Sequence, residues 1–163
     1  MAQCLCDKCI KEYRYGALPG KHYIPSKLSK LERKLYKLLH KGELTYLDTG
    51  RHRDVYLSLT GKSVIKFPIS YDGIEANLSE RTVYLGNAKV ESGWAQMKIA
   101  RKNLAGCRMI GPNVLIMTKV NTNGITDEFI DDHAPRWVEY IDSGQVGFHP
   151  RTGKLVAFDY TSF

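Results

Sequence analysis

Residues 44–69 read LTYLDTGRHRDVYLSLTGKSVIKFPI. Three short runs rich in β-branched and aromatic residues are separated by Gly50 and by Thr60-Gly61-Lys62, which predicts a β-meander. In the third run, VIKF sets Lys66 in the middle of an apolar strand. A lysine there has to deliver its ammonium to a partner, because an unpaired charge is not kept in a core. Glu80, in the segment that follows, is the natural candidate, and the bland reading of the two is a structural ion pair that holds helix to sheet.

Upstream, residues 26–42 read SKLSKLERKLYKLLHKG. Leu28, Leu31, Leu35, Leu38 and Leu39 recur at helical spacing and Gly42 is a stop signal, so a helix is predicted. Its other face carries Lys27, Lys30, Arg33, Lys34, Lys37 and Lys41, a solvated surface or a grip for phosphates or an acidic protein. Residues 1–25, with Gly16, Pro19, Gly20 and Pro25, read as irregular. Three organisational segments follow: 1–25, the basic helix 26–42, and a main domain 43–163.

Downstream, helices are expected over IEANLSERTVYL after Asp72-Gly73 and over GWAQMKIARKNL, then strands around CRMI and VLIMTKV with a turn at Gly111-Pro112-Asn113. A polar loop rich in Asp and Asn precedes APRWVEYI, read as helical from Pro135. QVGFHP and KLVAFDY then pair as a hairpin through Arg151-Thr152-Gly153. The class is α+β.

Lys and Arg number 24 against 17 Asp and Glu, a net charge of +7 that suits an anionic partner: a nucleotide, a nucleic acid or an acidic protein surface. No apolar run approaches a membrane span and no secretory leader is visible, so a cytoplasmic protein is expected. Cys4, Cys6 and Cys9 cluster near the start. In a reducing compartment that suggests zinc thiolates before disulfides, with His22 or Cys107 to complete a four-ligand set. The alternative is a tail whose thiols bind nothing.

Lys66, Glu80 and Asp159 stand out as charges in apolar settings. Together they resemble the protein-kinase fold. LDTGRHRDVYLSLTGKSVIKF is similar to the glycine-rich loop and its flanking strands: Gly50 matches the middle glycine, Val55 the valine over the base and Lys66 the phosphate-contacting lysine, while Asp48 and Arg53 replace the outer glycines. Glu80 matches the glutamate that pairs with that lysine. Thr118 to Val120 match the hinge that meets an adenine edge. In DSGQVGFHPRTGKLVAFDYT, Asp159 matches the metal-binding aspartate and Gln145 falls where the metal-binding asparagine belongs.

The resemblance implies an antiparallel sheet with a packed helix, like a kinase N-lobe, then a minimal catalytic-loop and metal-loop hairpin, with the C-lobe largely absent. It implies ATP with magnesium as cofactor. The catalytic aspartate position holds Tyr140, with Glu139 beside it and Asp142 beyond, so Asp142 becomes the candidate base with Lys66 and Asp159 as the other catalytic residues. No activation segment follows Asp159. The ending is similar to that of some bacteriophage-encoded kinase-like proteins, which implies a pseudokinase that binds a protein partner, such as a host enzyme in the host cytoplasm, and a nucleotide. The competing readings are an active minimal phosphotransferase and a basic nucleic-acid binder. Apolar surface near Trp137 and Phe163 makes a dimer another expectation.

Overall fold

Helix α1 (Lys30–His40) begins at Ser29 with a reciprocal capping box. The Ser29 hydroxyl accepts from the Glu32 amide at 3.2 Å, and the Glu32 carboxylate accepts from the Ser29 amide at 2.7 Å. The computed structural model describes residues 24–86, 90–92, 95–97, 100–141 and 145–160. Cys4, Cys6, Cys9, His22, Trp94 and Asp142 lie outside the described residues.

After α1 come strands β1 (Thr45–Thr49), β2 (Arg53–Leu57) and β3 (Ser63–Pro68), then helix α2 (Tyr71–Tyr84). A hairpin of β4 (Val90–Ser92) and β5 (Ala95–Met97), strands β6 (Cys107–Ile110) and β7 (Val114–Thr118), helix α3 (Asp127–His133) and a hairpin of β8 (Val146–Phe148) and β9 (Leu155–Ala157) complete the order. The class is α+β, with a five-stranded antiparallel sheet ordered β1-β2-β3-β7-β6. The chain divides into two compact units, Met1–Leu78 with Arg108–Met117, and Ser79–Cys107 with Thr118–Phe163.

In the first unit α1 and the sheet share one core. Ile24, Leu28, Tyr36 and Leu39 pack with Leu44, Ile65, Phe67, Ile110 and Val114. The Tyr36 and Phe67 rings meet edge to face at 5.0 Å, Phe67 meets Tyr56 at 5.7 Å, and Tyr56 meets Tyr46 at 5.5 Å. This aromatic series runs from the fully buried Tyr36 to the exposed Tyr46 on the edge strand. Fully burying a side chain such as Phe67 stabilises by about 1.5–3 kcal/mol.

The buried face of α1 departs from the leucine row. Leu28, Glu32, Tyr36 and Leu39 are buried, Leu35 and Leu38 are half-buried, and Leu31 is 56% exposed. The reason is Glu32, which is drawn inward by donors from the β6–β7 turn. Its Oε1 accepts from the Asn113 amide at 2.7 Å, from Asn113 Nδ2 at 3.0 Å and from the Val114 amide at 3.3 Å. Gly111, at φ +68°, brings the turn so close that an added methyl group would run into the Glu32 carboxylate and the Ser29 hydroxyl.

The second unit carries two corrections. The described residues of GWAQMKIARKNL form no α-helix: Val90 pairs with Met97 and Ser92 with Ala95 across the β4–β5 hairpin, and Arg101–Asn103 is one 3-10 turn. Strand pairing satisfies these backbone groups in place of helical bonds, and Ser92-Gly93 is a turn signal. APRWVEYI is helical after Pro135, as a 3-10 helix over Arg136–Tyr140; the second correction is α3, which lies in the stretch read as a loop. Thr126 caps α3 by accepting from the Phe129 amide at 3.1 Å, and Asp127 and Glu128 face its positive end.

Replacing Glu32 with Ala strands the buried Asn113 and Val114 amides, at a cost on the order of 1–3 kcal/mol for each lost partner. Chemical denaturation should show Glu32→Ala to be less stable by about 3 kcal/mol or more, and a loss under 1 kcal/mol would mean that the carboxylate does not pin the turn.

Candidate functional site

In the first unit, β-sheet register sets Val55 directly across from Lys66. Opposed residues share a face, so Val55 and Lys66 stand side by side. Ile65 and Phe67 lie in the core beneath α1, which sends Lys66 to the other face by alternation. Lys66 is only 4% exposed. Gly50 lies in the exposed β1–β2 turn, where its amide donates to the Arg53 carbonyl at 2.8 Å and a side chain would find room. The two residues that replace glycines differ in role. Arg53 is buried and donates from Nη1 to Asn77 Oδ1 at 3.5 Å, whereas Asp48 is exposed and accepts from the Thr49 amide.

Asn77 of α2 reaches the sheet in this unit by hydrogen bonds. Its Nδ2 donates to the Lys66 carbonyl at 3.1 Å and to the Asn113 carbonyl at 2.7 Å. Sequence reasoning passed over Asn77, although a fully buried asparagine spaced three residues before Glu80 has the same helical face available.

In the second unit the β8–β9 hairpin brings Gln145 and Asp159 together. The Phe158 amide donates to the Gln145 carbonyl at 2.9 Å, which extends the hairpin ladder to its open end. With its nitrogen toward Asp159, the Gln145 carboxamide donates to the Asp159 carbonyl at 3.1 Å and to Asp159 Oδ2 at 3.2 Å. Asp159 has φ +50°, and among the described residues it alone adopts a left-handed backbone without being glycine. That conformation costs roughly 1–2 kcal/mol for an ordinary L-residue.

Anchors on both sides hold it there. Before it, the Ala105 amide donates to the carbonyl of the fully buried Ala157 at 2.7 Å. After it, the buried Tyr160 donates its hydroxyl to the Ala105 carbonyl at 3.0 Å and lies 3.2 Å from Cys107 Sγ. Burial pushes the Tyr160 phenol far above its ordinary value, with Cys107 and then Glu80 adding to the effect. Glu80 is itself fully buried, and its carbonyl accepts from the Cys107 thiol at 3.9 Å.

The hinge candidates belong to the same unit. The Thr118 amide donates to the Gly106 carbonyl at 2.8 Å. Val120 packs on Gly147 of β8, where an added Cβ would come within 2.6 Å of Val120 Cγ2. Asn121 and Phe148 exchange backbone hydrogen bonds at 3.0 and 2.8 Å, so the segment after Thr118 is tied to the strand that Gln145 precedes. The second unit thus gathers Val120, Gln145 and Asp159 around one hairpin. Lys66, Val55 and Gly50 belong to the first unit.

Among the described residues no group of three His, Cys, Asp or Glu side chains could hold a metal ion. Cys107 is buried and hydrogen-bonded, and the other three cysteines lie outside the described residues. Asp159 supplies a carboxylate of the kind hard cations take, while Gln145, with its nitrogen on that carboxylate, offers its amide oxygen to a cation only once the carboxamide turns over. That set fits a magnesium ion that also binds phosphate oxygens, and it does not fit a protein-only cage.

No protein-family model, no curated protein and no solved structure matches this chain.

Tyr160 supplies a pH test. Its phenol is favoured neutral in the fold, so its contribution is complete below the unfolded value of about 10 and is lost as pH rises above it. Tyr160→Phe should cost about 1 kcal/mol near neutral pH and should flatten the fall in melting temperature between roughly pH 9 and 11. A variant with the same alkaline profile as the wild type would place Tyr160 outside this linkage.

Proposed function

We propose that this chain is a kinase-like nucleotide-binding protein, with Asp159 as ligand to a nucleotide-bound magnesium ion and Gln145 as the second ligand once its carboxamide turns its oxygen to the ion. The observation that supports this reading is the left-handed Asp159 held against the Gln145 carboxamide. A turn that needed only that backbone geometry is served best by glycine. Aspartate is one of the few other residues that tolerate that backbone, and here it also places a carboxylate beside an amide, which glycine would not do.

Magnesium bound by one carboxylate draws its remaining ligands from phosphate oxygens and water, and when bound it offsets phosphate charge. The kinase resemblance adds Lys66 as the phosphate-contacting lysine, Glu80 as the partner glutamate, Gly50 and Val55 in the glycine-rich loop, and Thr118 and Val120 in the hinge. The same resemblance sets Tyr140 at the catalytic aspartate position. A tyrosine is not a carboxylate base, so the reading is a pseudokinase that binds nucleotide without phosphotransfer, unless Asp142 serves as base.

Thermal melting tests this directly. ATP with magnesium at a hundred times the dissociation constant should stabilise by about 2.7 kcal/mol, while magnesium alone should not. Asp159→Gly accommodates the left-handed backbone, so it should keep the melting temperature and lose the nucleotide response. A melt unmoved by any magnesium nucleotide, or an unchanged response in Asp159→Gly, refutes the reading. Transfer of labelled γ-phosphate to the chain or to water would show an active enzyme.

A further inference from the structure

We infer that the exposed face of α1 binds the phosphate backbone of a nucleic-acid duplex without reading its sequence. The cations form a true row. Lys30, Lys34, Lys37 and Lys41 are spaced four, three and four residues apart, the spacing of neighbours on one helix face, and all are exposed, as are Lys27 and Arg33. At 1.5 Å per residue the helical part of the row, Lys30 to Lys37, is about 10 Å long.

Three observations separate this face from an ordinary solvated one. First, nothing on the helix neutralises it. Glu32 is the only acid in α1, and it is buried among backbone amides. Lys41 pairs with Glu43 at 3.4 Å, but among the described residues Lys30, Lys34 and Lys37 have no carboxylate partner. Second, part of the row works against its own helix, although Lys37 in the last turn is favoured by the dipole. Like charges four apart repel, and Lys30 stands at the positive end of the helix dipole. Third, the helix's acid and its tyrosine, Glu32 and Tyr36, are both fully buried, which leaves the exposed face to the cations.

The composition of the face selects the partner. Protein interfaces favour aromatic residues and Arg and are depleted in Lys. Here five of the six cations are lysine, and the only aromatic residue of α1, Tyr36, is fully buried. Without an exposed ring the face cannot stack the bases of a single strand. Lysine is a flexible point charge that suits phosphate and lacks the rigid planar fork by which Arg fixes its partners. A duplex presents a dense array of phosphates with its bases already stacked.

Fluorescence anisotropy of the full chain with labelled 20-base-pair DNA of two unrelated sequences tests the inference. Five phosphate contacts would weaken binding roughly 500-fold between 50 and 200 mM salt, equally for both sequences. In the Lys30→Gln, Lys34→Gln, Lys37→Gln variant the slope of log affinity against log salt should become shallower by about 2.7, with the melting temperature retained. The wild-type salt slope alone remains a test if that variant does not fold. Absence of binding at 50 mM salt, an unchanged slope in the variant, a clear preference for one sequence or for single strands, or stronger competition by polyglutamate than by duplex would each overturn it.

Discussion

The first unit depends on one buried carboxylate. Glu32 accepts from the Ser29 amide at the start of α1 and from three donors of Asn113 and Val114 in the β6–β7 turn. A desolvated carboxylate is costly unless donors surround it, and four donors meet that condition. Because these partners sit at fixed places, the carboxylate determines how far α1 is rotated on its axis. The rotation buries Tyr36 against Phe67, and it turns the lysine row outward. Core packing and surface charge on this helix therefore share one cause.

The same turn carries the constraint across the sheet. Asn113 Nδ2 also donates to the Lys27 carbonyl at 3.0 Å, and the Asn113 carbonyl receives the Asn77 amide group. Asn77 reaches on to the Lys66 carbonyl and accepts from Arg53. Two asparagines with well-defined partners thus fix α1, β2, β3 and the N-terminal part of α2 around β7. Polar networks of this kind specify register, because a shifted strand leaves buried donors without acceptors.

The strands of the sheet were legible in the sequence because the signal for each is local: β-branched and aromatic residues, with turn residues between. Glu32 was not legible. A glutamate among lysines on a helix reads as surface, and its burial is set by residues 81 positions away. The helix expected over GWAQMKIARKNL failed for a related reason, since the partner that made it a strand lies in the preceding residues. The α3 signal was local and available, a threonine cap followed by Asp127 and Glu128, but it was outweighed by the Asp and Asn content of the stretch.

For the candidate site, the hairpin and its two end residues could be read from the turn at Arg151-Thr152-Gly153, which fixes their register once the strands are paired. The backbone state of Asp159 could not, because a left-handed aspartate has no sequence mark. It persists because its neighbours are over-determined: Ala157 is held by the Ala105 amide, and Tyr160 returns a hydroxyl bond to the Ala105 carbonyl. Both anchors converge on one residue from opposite sides of Asp159. With the chain clamped at these two points, the residues between have to accommodate the geometry, and the aspartate takes the unfavourable backbone so that Ala157 and Tyr160 can stay buried. The backbone state of Asp159 and the burial of Tyr160 are consequently two sides of a single closure, in which Ala105 and the short hairpin together hold a carboxylate beside Gln145.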